Sequence, residues 1–169
     1  MNKAVLISIR PEWVEKILSG EKTLEVRKNR PNMKTPFKCY IYCTNSGVAM
    51  GMRGKHGKVV GEFTCNKVTN LFSNSRFWLN EDDVLQTCLS AAEIRKYAGG
   101  ANGLYGWHIS DLVGYDKPKE LAEFHTWKKC KSCNKSGYES TACIYDENCM
   151  VQVAITKAPQ SWCYVEELQ

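Results

Sequence analysis

The first 27 residues contain the pattern that most restricts the fold: an apolar run, a proline-started helix, a glycine and a second strand. KAVLISI (3–9) is apolar and rich in β-branched residues, which is typical of a buried strand. Pro11 suits the first turn of a helix, and apolar residues recur with a helical period along PEWVEKILSG. Gly20 fits the position just after a helix end, where a positive φ is needed. The sequence therefore predicts a strand, one short helix and a glycine stop before the next strand.

Downstream segments indicate more strands and few helices. Further strands are predicted at FKCYIYCT (37–44), KVVGEFTCNKV (58–68), GLYGWHISDLVGY (103–115) and VQVAIT (151–156). The glycine-rich segment 45–58 is either a substrate-facing loop or a plain hairpin excursion. Residues 81–98 are predicted to be helical, with Ser90 and Glu93 spaced as a capping box. Together these elements predict an α+β fold, a small mostly-β barrel with one to three short helices.

Length and hydropathy predict one domain over residues 1–169, with a cysteine-rich insert at about 126–150. The chain is 43% hydrophobic and 24% charged, close to the globular average, so it has enough apolar residues for a core. No apolar run approaches the roughly 18 residues of a membrane span, and the N-terminus lacks the apolar region of a secretory signal. We therefore expect a cytoplasmic protein that does not enter a membrane.

Charge is distributed unevenly along the chain. Residues 1–60 carry 12 lysines and arginines against four glutamates, a balance of +8, whereas the remaining residues have a balance of −3. A basic N-terminal third favours an anionic partner, of which nucleic acid is the commonest.

The segment SGEKTLEVRKNRP (19–31) concentrates this charge around a short predicted strand. Strict alternation places Leu24 and Val26 on one face and Glu25 and Arg27 on the other. If the charged face meets water, the pair contributes only about 0–1 kcal/mol, and the residues alone slightly favour this interpretation. If it lines a cleft, Arg27 can hold a phosphate or a base edge, and Glu25 can accept from an exocyclic amine. Lys22 joins this face only if the regular strand begins after it.

The segment SIRPEWVEKILSGEKTLEVRKNRP resembles the opening of the ASCH domain, a member of the PUA-like superfamily of small β-barrels associated with RNA. The recurring family pattern G-x-K-x-x-E-x-R is matched at all four positions by Gly20, Lys22, Glu25 and Arg27. Three later segments, VVGEFTC, YGWHISDLVGYDKPKELAEF and PQSWCYVEE, are similar to later parts of phage and bacterial members and occur in the same order. The resemblance covers roughly residues 1–125 and 151–167.

This resemblance implies a cleft between the barrel and the first helix, lined by Lys22, Glu25 and Arg27 and joined by Arg10. RNA or a nucleotide is the ligand that it implies. Trp107 is a candidate platform for a base, because base–aromatic stacking is worth about 1–3 kcal/mol; the alternative is a core tryptophan.

A hydrolase is the alternative function. Some small members of the family resemble amidohydrolases that act on acylated cytidine with a lysine, a threonine and a glutamate. Lys22 matches the lysine, but Glu25 occupies the threonine position, and a carboxylate poorly replaces a hydroxyl nucleophile. A ribonuclease would use Lys22 and Arg27 to stabilise phosphoryl charge and Glu25 as general base. Both rank below plain binding, and a protein-interaction domain with a basic face is a third alternative. His108 is expected to be structural.

The nine cysteines form two groups. Five are scattered among apolar neighbours and are expected to be small buried hydrophobes: Cys39, Cys43, Cys65, Cys88 and Cys163. The other four are spaced as two pairs, Cys130-x2-Cys133 and Cys143-x5-Cys149. The first pair has the spacing of a zinc knuckle and the second is looser, so the segment predicts a structural zinc site with four thiolate ligands. Free thiols and disulfides are the alternatives, and His125 or Cys163 is a possible substitute ligand.

Overall fold

The computed structural model describes residues 2–47, 49–73, 76–129 and 150–168. This part of the chain contains nine strands: β1 (Lys3–Ile9), β2 (Leu24–Arg27), β3 (Phe37–Cys43), β4 (Val59–Ser73), β5 (Arg76–Phe77), β6 (Gly103–Lys119), β7 (His125–Lys129), β8 (Met150–Ala154) and β9 (Trp162–Glu166). It contains three α-helices: α1 (Pro11–Leu18), α2 (Glu81–Thr87) and α3 (Ala91–Ala98). Short 3₁₀ turns occur at Met50–Met52 and Leu121–Glu123. The predicted α+β class, mostly strand with few short helices, is confirmed.

Seven strands form one sheet in the order β2-β6-β4-β3-β1-β9, with β5 paired to β4. β1 and β3 run parallel, and every other neighbouring pair is antiparallel. A parallel pair needs a crossover connection, which α1 and β2 supply here. The long β4 and β6 pair with register shifts that include one between Cys65 and Val68. Such bulges bend a sheet and increase its twist. β7 and β8 form a separate two-stranded sheet.

β1 shows why the sheet is buried on both faces. Val5 and Ile7 belong to a core cluster that also contains Val14 and Ile17 of α1. Ala4 and Leu6 belong to a second cluster on the opposite face. This alternation is the period of two expected for a strand, so the apolar run 3–9 is a central strand because both of its faces are covered.

The local signals for helix ends were confirmed. Gly20 has φ = 80° and follows α1, as its position predicted. Residues 81–98 form two helices rather than one, since Cys88 adopts φ = 57° at the end of α2. At the start of α3, Glu93 N–H donates to Ser90 Oγ at 3.2 Å, and Ser90 N–H donates to Glu93 Oε2 at 2.8 Å.

The five cysteines outside the cysteine-rich segment differ in how deeply they are buried. Cys39, Cys43 and Cys65 are buried as predicted, while Cys88 and Cys163 are partly exposed. Burial raises the pKa of Cys65 to about 12, so that thiol is inert.

None of the helices in the described residues is long and apolar enough to cross a membrane. The predicted zinc ligands Cys130, Cys133, Cys143 and Cys149 lie outside the described residues.

Candidate functional site

A cavity of about 400 Å³ opens where the two ends of the strand order approach each other. Its wall is formed by residues of β1, the start of α1, β2, the loop after β3, α3 and the segment just before β9. The lining residues are Ser8, Ile9, Arg10, Trp13, Lys22, Glu25, Val26, Arg27, Thr44, Ser46, Leu89, Glu93, Tyr97 and Gln160. The family resemblance predicted that four residues line a cleft: Arg10, Lys22, Glu25 and Arg27. All four line this one cavity.

Three charged side chains converge in this wall and are removed from water. Lys22, Glu25 and Arg27 are only 2%, 6% and 8% exposed. Glu25 Oε1 lies 3.0 Å from Arg27 Nη2, and its Oε2 lies 3.5 Å from Lys22 Nζ. The interpretation of this strand face as a solvated edge is therefore wrong. Two cations and one anion leave the cluster with an excess of one positive charge.

Lys22 fastens β2 to the end of α2. β2 begins at Leu24, so Lys22 precedes the regular alternation and its ammonium can reach the Glu25 side. Lys22 Nζ donates to Leu24 O at 2.9 Å and to Thr87 O at 2.7 Å. The two carbonyls accept hydrogen bonds from Lys22 Nζ, and the Glu25 carboxylate adds an ion pair at 3.5 Å.

Arg27 joins the two ends of the strand order through its side chain. Arg27 Nη2 donates to Ser8 O on β1 at 2.7 Å, and Nη1 donates to Ser161 Oγ, just before β9, at 3.3 Å. β2 lies at one end of the strand order, while β1 and β9 lie at the other. The sheet therefore curls until its ends face each other, and a guanidinium bridges them. Arg27 Nε is buried and has no hydrogen-bond partner among the described residues.

The tryptophan predicted as a stacking platform does not reach the cavity. Trp107 is 0% exposed and packs edge-on against Phe37, with ring centroids 5.7 Å apart. It pairs with Glu25 across β2 and β6, but its indole enters the core. The prediction that Trp107 stacks on a base is wrong in this arrangement, and the core alternative is right. The bulged, curled sheet turns this face of β6 inward.

Two other aromatic residues line the cavity and were missed from the sequence. Trp13 of α1 lies beneath Lys22 Nζ, which is 5.4 Å from its ring centroid. Tyr97 of α3 is 41% exposed, and Lys28 Nζ lies 5.2 Å from its ring. Burial raises the pKa of the Tyr97 hydroxyl, so that the hydroxyl stays protonated. A signal existed for Tyr97: it follows Glu93 by one helical turn, so both fall on one face of α3.

The glycine-rich segment 45–58 contributes to the cavity, in agreement with the substrate-facing alternative. Ser46 lines the wall beside Thr44, the residue that follows β3. The segment is fastened to α1 because Gly51 N–H donates to Glu15 Oε1 at 3.0 Å. A methyl group added at Gly51 would lie too close to Glu15 Oε1, so the carboxylate would have to move away from this position.

His108 lies outside the cavity wall. Its Nε2 is 2.7 Å from Thr69 Oγ1 on the neighbouring strand. Burial, with help from Lys67, lowers the pKa of His108, whereas Asp83 acts in the opposite direction. A half-buried, hydrogen-bonded and neutral imidazole fits the expected structural role.

A sequence model described as the ASCH domain matches residues 7–150. The crystal structure of ASCH from Zymomonas mobilis superposes with a TM-score of 0.60 at 20% identity, covering 97% of this chain and 88% of that chain. A crystal structure of a mutant of the same protein gives a TM-score of 0.61 at 18% identity, with 97% and 89% covered. At this identity the likeness concerns the fold. A search of curated proteins finds no match.

Proposed function

Because the chain belongs to the ASCH domain family, whose PUA-like fold is generally linked to RNA binding, we propose that its cavity binds a nucleotide, either free or within RNA. The observation that carries the proposal is the convergence of Lys22, Glu25 and Arg27 in one concave wall with an excess positive charge. The cavity of about 400 Å³ falls within the range typical of small-molecule sites.

Each part of a nucleotide has a complementary group in the wall. Arg10 is exposed at the cavity, which suits a phosphate that keeps contact with water. Glu25 forms ion pairs with Arg27 and Lys22, and the two oxygens of a carboxylate have about four acceptor sites, so an exocyclic amine of a base can also donate to it. Trp13 and Tyr97 offer aromatic faces, and stacking on such faces tolerates any base.

The hydrolase alternative receives less support from the same contacts. Activation of a nucleophile by a lysine requires contact between the two groups, yet Lys22 Nζ is engaged by two backbone carbonyls and lies against the Glu25 carboxylate. A binding module needs no such step. Turnover of an acylated nucleoside or an RNA that disappears in Glu25→Gln, measured at a temperature where circular dichroism shows this variant to be folded, would reverse this ranking.

The test uses cavity residues that do not hold the sheet together. Binding of nucleoside monophosphates and of short single-stranded RNA is measured by calorimetry for wild type, Arg10→Gln and Tyr97→Ala. Loss of a charge-assisted hydrogen bond is expected to weaken binding about tenfold in Arg10→Gln, and loss of stacking by a similar factor in Tyr97→Ala.

Lys117→Gln is the matched control, because Lys117 is exposed and lies outside the cavity wall. It removes the same charge as Arg10→Gln and should leave nucleotide affinity unchanged. Equal affinities in wild type and both cavity variants would contradict the assignment of the ligand to this cavity.

A further inference from the structure

A second concave surface, which we call the Arg30 groove, begins three residues beyond the cavity wall. It has a volume of about 610 Å³. Its lining consists of the segment after β2 and one residue of β4: Arg30, Pro31, Asn32, Met33, Lys34, Thr35 and Val68. The groove is larger than the cavity, and nothing in the nucleotide proposal uses it.

The groove is positively charged and free of carboxylates along its lining. Arg30 and Lys34 are both exposed there. The surrounding stretch of sequence, residues 26–61, contains eight lysines and arginines and no aspartate or glutamate. Two exposed cations on one concave surface, with no carboxylate in its lining, favour an extended anion whose successive charges can meet both of them.

The groove is held in shape by contacts to the neighbouring strands. Asn32 N–H donates to Tyr164 Oη at 2.8 Å, and Trp162 Nε1–H donates to Asn29 Oδ1 at 2.7 Å. The Arg30 guanidinium lies over the Tyr105 ring, 5.8 Å from its centroid. A preformed surface loses little conformational entropy when a ligand binds.

The same chain segments connect the groove to the cavity. Arg27 lines the cavity and Arg30 lines the groove, so at most about 11 Å of extended backbone separates them. On the opposite side, Ser161 accepts from Arg27, and the next residue, Trp162, donates to Asn29. A ligand that occupies the cavity therefore has its neighbouring groups within reach of the groove.

We propose that the Arg30 groove binds the phosphodiester backbone of a single-stranded nucleic acid whose adjoining nucleotide occupies the cavity. The ligand is then a strand rather than a free nucleotide. A base bound inside the cavity is unpaired and removed from its neighbours in the strand, which single strands permit at least cost. The inference rests on the proposed function for the cavity side only, because the groove has its own charge and contacts.

The experiment compares ligands of two lengths at two salt concentrations. Arg30→Gln/Lys34→Gln is compared with wild type and with the charge-matched control Lys117→Gln/Lys129→Gln, whose positions are exposed and outside the groove. The ligands are a nucleoside monophosphate and a fluorescent ten-nucleotide single strand of mixed sequence, as RNA and as DNA. Lys34→Gln alone provides a variant that keeps the Arg30–Tyr105 contact.

In wild type, the ten-nucleotide strand should bind more tightly than the monophosphate. The double variant Arg30→Gln/Lys34→Gln, which we call the groove variant, should bind the strand without this gain and bind the monophosphate as tightly as wild type does. For single strands the salt slope falls by about 0.7 for each lost phosphate contact, so two contacts reduce it by about 1.4. Between 50 and 200 mM salt, wild-type affinity should therefore fall about sevenfold more than that of the groove variant.

Three results would overturn the inference: equal strand affinity and slope in wild type and the groove variant, an equal loss in the control variant, or equally strong competition by a polyglutamate peptide. Absence of strand binding in wild type would also overturn it. By contrast, length-dependent binding that depends on Arg30 and Lys34 but not on Arg10 would support the groove and contradict the cavity proposal. The two proposals therefore fail separately.

Discussion

Substitution of Glu25 by glutamine tests whether the buried charge cluster is held together by its single anion. The substitution preserves the shape of the side chain but removes the charge that separates two buried cations. Lys22 Nζ and Arg27 Nη2 lie 3.5 Å and 3.0 Å from the carboxylate oxygens, on side chains that are at most 9% exposed. The glutamine amide also offers donors on one side, where both partners are already donors.

The size of the effect follows from burial. Removing one partner of a buried ion pair costs about 3–5 kcal/mol, because an uncompensated charge remains away from water. For a chain of this size, 1 kcal/mol corresponds to roughly 2–4 °C in melting temperature. We therefore expect Glu25→Gln to melt roughly 6–20 °C below wild type. Because Lys22 and Glu25 share the cluster, Lys22→Met/Glu25→Gln should be less destabilised than the sum of the single variants.

Urea and thermal unfolding followed by circular dichroism measure the change, and the chain offers a matched control. Glu21, four residues before Glu25, also forms an ion pair, with Lys16. The side chains of Glu21 and Lys16 are both exposed. Exposed pairs contribute little, so Glu21→Gln should unfold like wild type. If Glu25→Gln lost no more stability than Glu21→Gln, the cluster would be hydrated and the argument from buried charge would be refuted.

Three further predictions concern the loop, the histidine and the insert. Gly51→Ala should push the Glu15 carboxylate away from Gly51 N–H, loosen segment 45–58 through the loss of that hydrogen bond and weaken nucleotide binding in calorimetry, whereas Gly100→Ala, which has open space around it, should not. The folded pKa of His108 lies below 6.5, mainly because of burial, so the unfolded chain binds this proton more readily. Stability should therefore fall as the pH drops below 6.5, and His108→Gln should flatten that slope in urea unfolding between pH 7 and 5. If the cysteine-rich insert binds zinc, elemental analysis should find about one zinc per chain, and chelation should loosen residues 126–150 only; zinc-free purified protein would contradict this.

The sequence predicted what short-range chemistry determines. The helix stop at Gly20 and the capping box of Ser90 and Glu93 depend on residues within one helical turn, and both were found. The alternation of β2 also follows from local geometry, and the family pattern identified three charged residues of the cavity wall, Lys22, Glu25 and Arg27. The alternation left open whether the charged face of β2 is covered, because that depends on how the sheet curls.

The failures of prediction have the same origin. Trp107 was the only tryptophan predicted to stack on a base, yet the curvature of β6 buries it, and the position of α1 brings Trp13 to the cavity instead. Arg27 meets Ser161 across 134 positions of the chain. No periodicity or spacing encodes a contact of that range, so resemblance supplied the site before physical reasoning could.

The geometry changes how substitutions in the family motif must be interpreted. Lys22 binds carbonyls of β2 and of α2, and Arg27 bridges the two ends of the sheet. Lys22 and Arg27 therefore stabilise the fold as well as lining the cavity, and a variant such as Arg27→Ala would lose ligand affinity for either reason. Arg10 and Tyr97 line the same cavity while remaining exposed. Loss of binding at those two positions, with melting temperature unchanged, is the result that separates recognition from stability.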